Sequence, residues 1–155
     1  MIVIFFSSCI STSTIVSSIT VEKKAIPPDF GQDKSTLICV LWGKKSYDKC
    51  MKKHVKNNYK GKYEFVLRRD LVLKKYTDSN NYRYIFDHKL RTGESKSFNY
   101  DTNSYSSSTT FSFSFFILDK KEDKTYKSPL RTTRFSNTIE AYMINLEKVR
   151  IRNKS

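Results

Sequence analysis

Glycine is scarce in this chain, with four residues in 155. A Gly-rich loop of the kind that cradles a phosphate or a dinucleotide therefore has little to be built from. Histidine is scarcer, at two, and the three cysteines Cys9, Cys39 and Cys50 stand in no C-x-x-C or C-x-x-H spacing, so no zinc site is indicated. No segment reaches the ~18–20 consecutive apolar residues of a membrane-spanning helix. Lysine and arginine never form a run of five, and no internal repeat is present. A search for paired acids, nucleophile triads and metal-ligand clusters leaves only isolated residues. His54 falls on an apolar helical stripe and is expected to pack against a sheet; His88 is expected to face solvent. Asp87 and Asp119 belong to different strands. No catalytic residue, metal or cofactor follows, and the expectation is a chain that is not an enzyme.

Positive charge is what the chain has in excess. The net charge is +14 and the isoelectric point is near 9.7. Such a balance draws anionic partners: nucleic acid, anionic lipid head groups or acidic polysaccharide. The length suits one domain that can bury a core without a metal or disulfide. With 11 Phe and 10 Tyr, aromatic rings carry much of that burial.

Residues 1–9 read Met-Ile-Val-Ile-Phe-Phe-Ser-Ser-Cys, and 10–34 begin Ser/Thr-rich and continue past Pro27, Pro28 and Gly31. The second stretch reads as a tether and linker, with a strand around Ile15, Val16, Ile19 and Val21 as the alternative. The folded domain is expected over 35–152, followed by a tail at 153–155. Thr36 to Trp42 is a continuous apolar run that suits a strand buried on both faces. Ser46 is placed to cap a helix with Tyr47, Cys50, Met51, His54, Val55 and Tyr59 on one stripe. Lys49, Lys52, Lys53, Lys56 and Lys60 occupy the rest of that helix. Strands are expected from Lys62 to Leu73, breaking near Arg68, and around Tyr82, Tyr84 and Phe86. Residues 95–108 are polar and read as a long loop or frayed edge. Phe111, Phe113, Phe115 and Ile117 alternate with Ser112, Ser114, Phe116 and Leu118, the clearest strand of all, and a hairpin returns through Thr125 to Leu130. Asn137 and Glu140 form a capping box for a last helix. The expected fold class is α+β, a two-layer sandwich with an antiparallel or mixed sheet of four to five strands and two helices on one face. Leu37, Ile38, Val40, Trp42, Val55, Phe113, Phe115, Ile139, Met143 and Leu146 should form its core.

The apolar-Ser7-Ser8-Cys9 start resembles the end of a bacterial lipoprotein signal peptide. That resemblance implies an exported protein whose Cys9 thiol carries the lipid, with the true start lying upstream of Met1. The alternative is a β-rich amino terminus of a cytosolic protein. Leu118-Asp119-Lys120-Lys121-Glu122-Asp123-Lys124-Thr125-Tyr126-Lys127-Ser128 is similar to the Leu-Asp-x-x-x-Gly-x-x-x-x-Ser turn of small periplasmic lipoprotein domains. These include the amino-terminal domain of the Tol-system periplasmic protein and the activator lipoproteins of peptidoglycan synthases. The resemblance implies a non-catalytic partner-binding role and assigns no functional residue.

The function expected is thus a non-catalytic exported envelope lipoprotein that binds an anionic polymer or an envelope protein, held to the membrane through Cys9. The anionic-partner surface would comprise Lys49, Lys52, Lys53, Lys56, Lys60, Arg83, Lys89 and Arg91. An exported location would also permit a Cys39–Cys50 disulfide between the first strand and the next helix. The competing reading is a cytosolic nucleic-acid-binding domain that stacks bases on Tyr82, Tyr84 and Phe86, flanked by Arg83, Lys89 and Arg91, although the RNP consensus is absent.

Overall fold

A computed structural model describes residues 12–154. In chain order it contains α1 (Thr12–Ser18), β1 (Leu37–Leu41), α2 (Lys45–Asn58), β2 (Tyr63–Leu67), two 3₁₀ turns (Arg68–Val72 and Lys74–Thr77), β3 (Tyr84–Asn99), β4 (Ser104–Asp119), β5 (Lys124–Thr132) and α3 (Phe135–Lys154). The fold is α+β with a mixed five-stranded sheet in the order β2-β1-β3-β4-β5.

β1 runs parallel to both neighbours, pairing Leu37 with Tyr63 through Leu41 with Leu67 on one side and Cys39 with Phe86 on the other. Parallel neighbours need crossover connections. α2 supplies one, from β1 to β2. The 3₁₀ segment supplies the other, from β2 to β3. The two crossovers use opposite faces of β1, as its burial shows. Leu37, Cys39 and Leu41 join the cluster built with α1, α2 and α3. Ile38 and Val40 pack with Val66 and Tyr76, flanked by Leu71, Tyr82 and Ile85. The continuous apolar run of β1 follows from this double coverage.

β3 and β4 pair antiparallel over their whole length, from Tyr84 opposite Asp119 to Asn99 opposite Ser104. β5 pairs only with the β4 half nearest the core, across a bulge between Ser114 and Phe116. Phe113, Phe115 and Ile117 turn toward the helices, with Tyr84 and Phe86 beside them on β3. Beyond this the β3–β4 pair continues as a two-stranded ribbon, and residues 95–108 are strand and turn rather than an irregular loop. Asn103 and Asp123, in the two hairpin turns, take left-handed φ values of +45° and +47°. Asp and Asn tolerate that region, and Asp123 sits where the resembled turn carries Gly.

Several expectations need correction. Residues 12–34 are not a tether: Ile15, Ile19, Ala25, Ile26 and Phe30 are buried in the main core. α1 is a helix that packs on α3, where the β-branched content suggested a strand. Nor are residues 153 and 154 a tail, because α3 runs through Lys154 and the Asn153 amide donates to the Pro28 and Phe30 carbonyls at 2.8 and 2.9 Å. α3 starts at Phe135, two residues before the expected cap, and Lys44 rather than Ser46 precedes α2. β2 stops at Leu67, where the 3₁₀ turn begins. Trp42 is half-buried, its ring 4.8 Å from that of Tyr47, while the other nine expected core residues are buried.

Candidate functional site

α2 is amphipathic in a way that divides labour. Met51, His54 and Val55 are buried, with Tyr47 and Cys50 packed alongside. At 3.6 residues per turn, Lys45, Lys49, Lys52, Lys53 and Lys56 fall within an arc of about 100° and span about 16 Å of helix. All five are exposed. Lys60 follows just past the helix end, its ammonium on the Lys56 and Asn57 carbonyls at 3.3 and 3.2 Å. The one acid in α2, Asp48, is turned back to the preceding loop and accepts from the Trp42 and Gly43 N–H groups at 2.9 and 3.1 Å. Gly43 holds a φ of +85° there. No ion pair among the described residues joins the five lysines to a carboxylate. The outcome is an uncompensated row of ammonium groups facing water.

At the start of this row, the carboxyl ends of β1 and β2 open into a cleft of about 690 Å³ lined by Trp42, Gly43, Asp48, Leu67, Arg68 and Arg69. The crevice outside the carboxyl ends of parallel strands is a common ligand position in open sheets. Arg68 is already engaged: its guanidinium donates to the Asp87 carboxylate and, at 2.8 Å, to the His88 carbonyl.

The expected anionic-partner surface is only partly assembled. Lys49, Lys52, Lys53, Lys56 and Lys60 share one side of the molecule. Lys89 and Arg91 are exposed on β3 but alternate with His88 and Phe86, which turn to the helices, and the Lys89 ammonium lies 5.7 Å from the Phe116 ring on the other face. Arg83 is not available at all. It is 5 % exposed and its guanidinium donates to Asp119 at 2.9 and 2.7 Å, to Asp33 at 3.2 Å and to Asp29. Asp119 is wholly buried and also accepts the Lys121 N–H at 3.0 Å in the β4–β5 turn. The cluster ties the segment before β1 to the β3–β4 pair. Burial works against ionisation of Asp33, yet the Ser35 hydroxyl and N–H together with Arg83 hold its carboxyl below the usual range.

The base-stacking row is likewise dismantled. Tyr84 and Phe86 are buried against the helices, and half-buried Tyr82 packs 5.2 Å from Tyr76 and donates to Glu64 at 3.0 Å. Cys39 and Cys50 are both free thiols, so the Cys39–Cys50 disulfide is not formed. Cys39 is fully buried, and burial pushes its thiol far above the usual range. His88, expected in solvent, is 3 % exposed. Cys9 lies outside the described residues.

One pairing escapes sequence reasoning. His54 Nε2 lies 2.8 Å from the Ser136 hydroxyl, across 82 residues of sequence. Burial lowers the His54 pKa, with Glu140 opposing. The bond satisfies a buried ring nitrogen where α2 meets α3. Among the described residues no three His, Cys, Asp or Glu side chains converge to hold a metal ion, and no helix is long and apolar enough to cross a membrane. No family model, curated protein or solved structure matches the chain.

Proposed function

We propose that this chain is a non-catalytic binding protein that holds an anionic polymer along the lysine face of α2. The observation that carries the reading is the row Lys45, Lys49, Lys52, Lys53 and Lys56, exposed and free of carboxylate partners among the described residues. A charge row on a rigid helix keeps its spacing, so a flexible polyanion gains several contacts for one loss of freedom. The apolar-Ser-Ser-Cys start supports an exported protein anchored through a lipid on Cys9, which would bring the lysine face to the acidic polymers of a cell envelope. Burial of Tyr84 and Phe86 weakens the nucleic-acid alternative, because it removes the stacking contribution and leaves only charge.

Two experiments test the proposal. Binding of a soluble poly(glycerol phosphate) is followed across a salt series for the parent and for Lys49→Ala/Lys53→Ala/Lys56→Ala. The triple variant should bind more weakly with a shallower dependence on log salt, since fewer counterions are released. An unchanged slope would place the polymer elsewhere. A random oligonucleotide run in parallel should bind no more tightly than the phosphate polymer; a preference for the oligonucleotide that survives high salt overturns the choice of partner. For the anchor, the gene expressed from its native start should take up a palmitate analogue, and Cys9→Ser should not.

A further inference from the structure

Two of the four glycines meet in one pocket, at the opposite end of α2 from the cleft. It has a volume of about 200 Å³ and is lined by Gly31, Asp33, Lys34, Ser35, Tyr59, Gly61, Lys62, Arg150 and Lys154. Both glycines are there because nothing larger fits. A Cβ on Gly31 would lie 2.7 Å from Arg150 Cγ, and one on Gly61 would meet the Tyr59 hydroxyl end first, with Cζ at 2.5 Å, and then Arg150 Cδ at 2.8 Å. Arg150 is fixed by Glu147, whose carboxylate accepts from its Nε at 2.9 Å and from a second guanidinium nitrogen, so it forms a wall. The Asp33 carboxylate is likewise occupied, by Ser35 and Arg83. Lys34, Lys62 and Lys154 are in no ion pair among the described residues.

The inner wall carries a second, independent feature. Gly31, Ser35 and Tyr59 also border a slot of about 10 Å³ closed by Phe30, Leu37 and Tyr84. Tyr84 is 1 % exposed, and its hydroxyl has no hydrogen-bond partner among the described residues. A buried hydroxyl left unpaired carries its full desolvation penalty, and the slot has room for about one oxygen-sized group.

We infer that this pocket binds a phosphomonoester group, with Lys34, Lys62 and Lys154 meeting its negative charge and one phosphate oxygen reaching toward the Tyr84 hydroxyl. A dianionic phosphate matches three lysines that line one pocket and stand in no ion pair among the described residues, beside an Asp33 carboxylate already taken up by Ser35 and Arg83, and its oxygens accept from the hydroxyl as well. A monocarboxylate would leave most of that charge unanswered. The pocket contains none of the exposed α2 lysines, so the inference stands apart from the polymer reading.

Titration calorimetry of the full chain with glycerol 3-phosphate, with glycerol as the neutral control, tests it. Vesicles of phosphatidylcholine containing phosphatidic acid form a second arm. Saturable binding of glycerol 3-phosphate and none of glycerol is the expected result. Uptake in the vesicle arm alone would assign the same chemistry to a lipid head group, and binding in neither arm overturns the inference. Lys34→Gln/Lys62→Gln/Lys154→Gln should weaken binding about tenfold or more, whereas Lys49→Gln/Lys52→Gln/Lys53→Gln, with the same charge removed, should change it little. Equal losses in both variants would reduce the effect to the general field of a basic protein and overturn the site. Tyr84→Phe should lose affinity several-fold with no fall in thermal midpoint, because no protein group loses a partner. Full affinity in that variant would remove Tyr84 from the site.

Discussion

The guanidinium of Arg83 faces three carboxylates, and only one of them, Asp119, has no exposure. Asp29 and Asp33 can turn to water if the arginine is removed; Asp119 cannot. Arg83→Met should therefore destabilise the fold by about 3–5 kcal/mol, the usual cost of leaving a buried charge without its partner. Urea unfolding measures it, and a loss under about 1 kcal/mol would mean that the β4–β5 turn opens to hydrate Asp119. His88 gives a second prediction at this scale. Its ring sits among Trp42, Phe113, Phe115 and Phe135, with centroids 5.0–6.1 Å away. Burial lowers its pKa below 6.5; Asp87 opposes that, Arg68 reinforces it and Asp48 opposes it weakly. A folded-state pKa below the unfolded one means that the unfolded chain takes up more protons as pH falls below 6.5. Stability is thus fully present above that pH and declines beneath it. His54 shifts in the same direction. Asp33, Glu64 and Glu147 are held below their ordinary values of 3.8, 4.5 and 4.5, so their contribution is lost only further down. His88→Phe should flatten the stability profile between about pH 6.5 and 5, and a profile identical to the parent would assign that window to His54.

At the scale of elements, the β3–β4 ribbon and α1 show what sequence patterning carries and what it does not. Phe113, Phe115 and Ile117 announce their strand because one face of it is buried and the other is not. The same strand from Ser104 to Phe111 has water on both faces, so no alternation is demanded and the sequence reads as a loop. What holds the ribbon is backbone pairing, hydroxyl contacts of Ser95 with Ser108 at 2.6 Å and Ser97 with Ser106 at 2.7 Å, and rings of Phe98, Tyr100 and Tyr105 at its tip. None of these touches the core. Replacing residues 94–109 with an Asn-Gly turn, which keeps Gly93 opposite Thr110, should change the unfolding free energy by less than about 1 kcal/mol, and a larger loss would show that the ribbon folds back onto the body. α1 fails as a sequence signal for the opposite reason. Seven residues are too few to be helical by propensity alone, and it is the α3 surface that receives Ile15 and Ile19. Lys45 was missed because the expected cap at Ser46 started the helix one residue after it, whereas Lys49, Lys52, Lys53 and Lys56 were legible because they lie on one local helical stripe. The fate of Arg83 was not, because Asp29, Asp33 and Asp119 reach it from 54, 50 and 36 residues away.

Across the whole molecule, the decisive contacts join the two ends of the described chain. Ile15, Ile19, Ala25, Ile26 and Phe30 fill the space between the sheet and α3. The Asn145 amide donates to the Val16 and Ile19 carbonyls at 2.7 and 2.6 Å, and Asn153 closes the far end on Pro28 and Phe30. A lipid on Cys9, as proposed, would sit three residues before α1, so the protein body and not a long tether would meet the membrane surface. The same packing makes a boundary at Ser35 physically untenable. Burying each of Ile15, Ile19, Ile26 and Phe30 contributes about 1.5–3 kcal/mol. Together that matches the whole stability of an ordinary domain, about 5–15 kcal/mol. Deleting residues 1–34 also strips Asp29 and Asp33 from Arg83 and uncovers the apolar side of α3. The shortened chain should lose its cooperative thermal transition and its near-ultraviolet circular dichroism, and bind a hydrophobic dye, as chains do that keep secondary structure without fixed packing. A sharp transition within a few degrees of the full chain's would restore the linker reading and remove residues 12–34 from the folding unit.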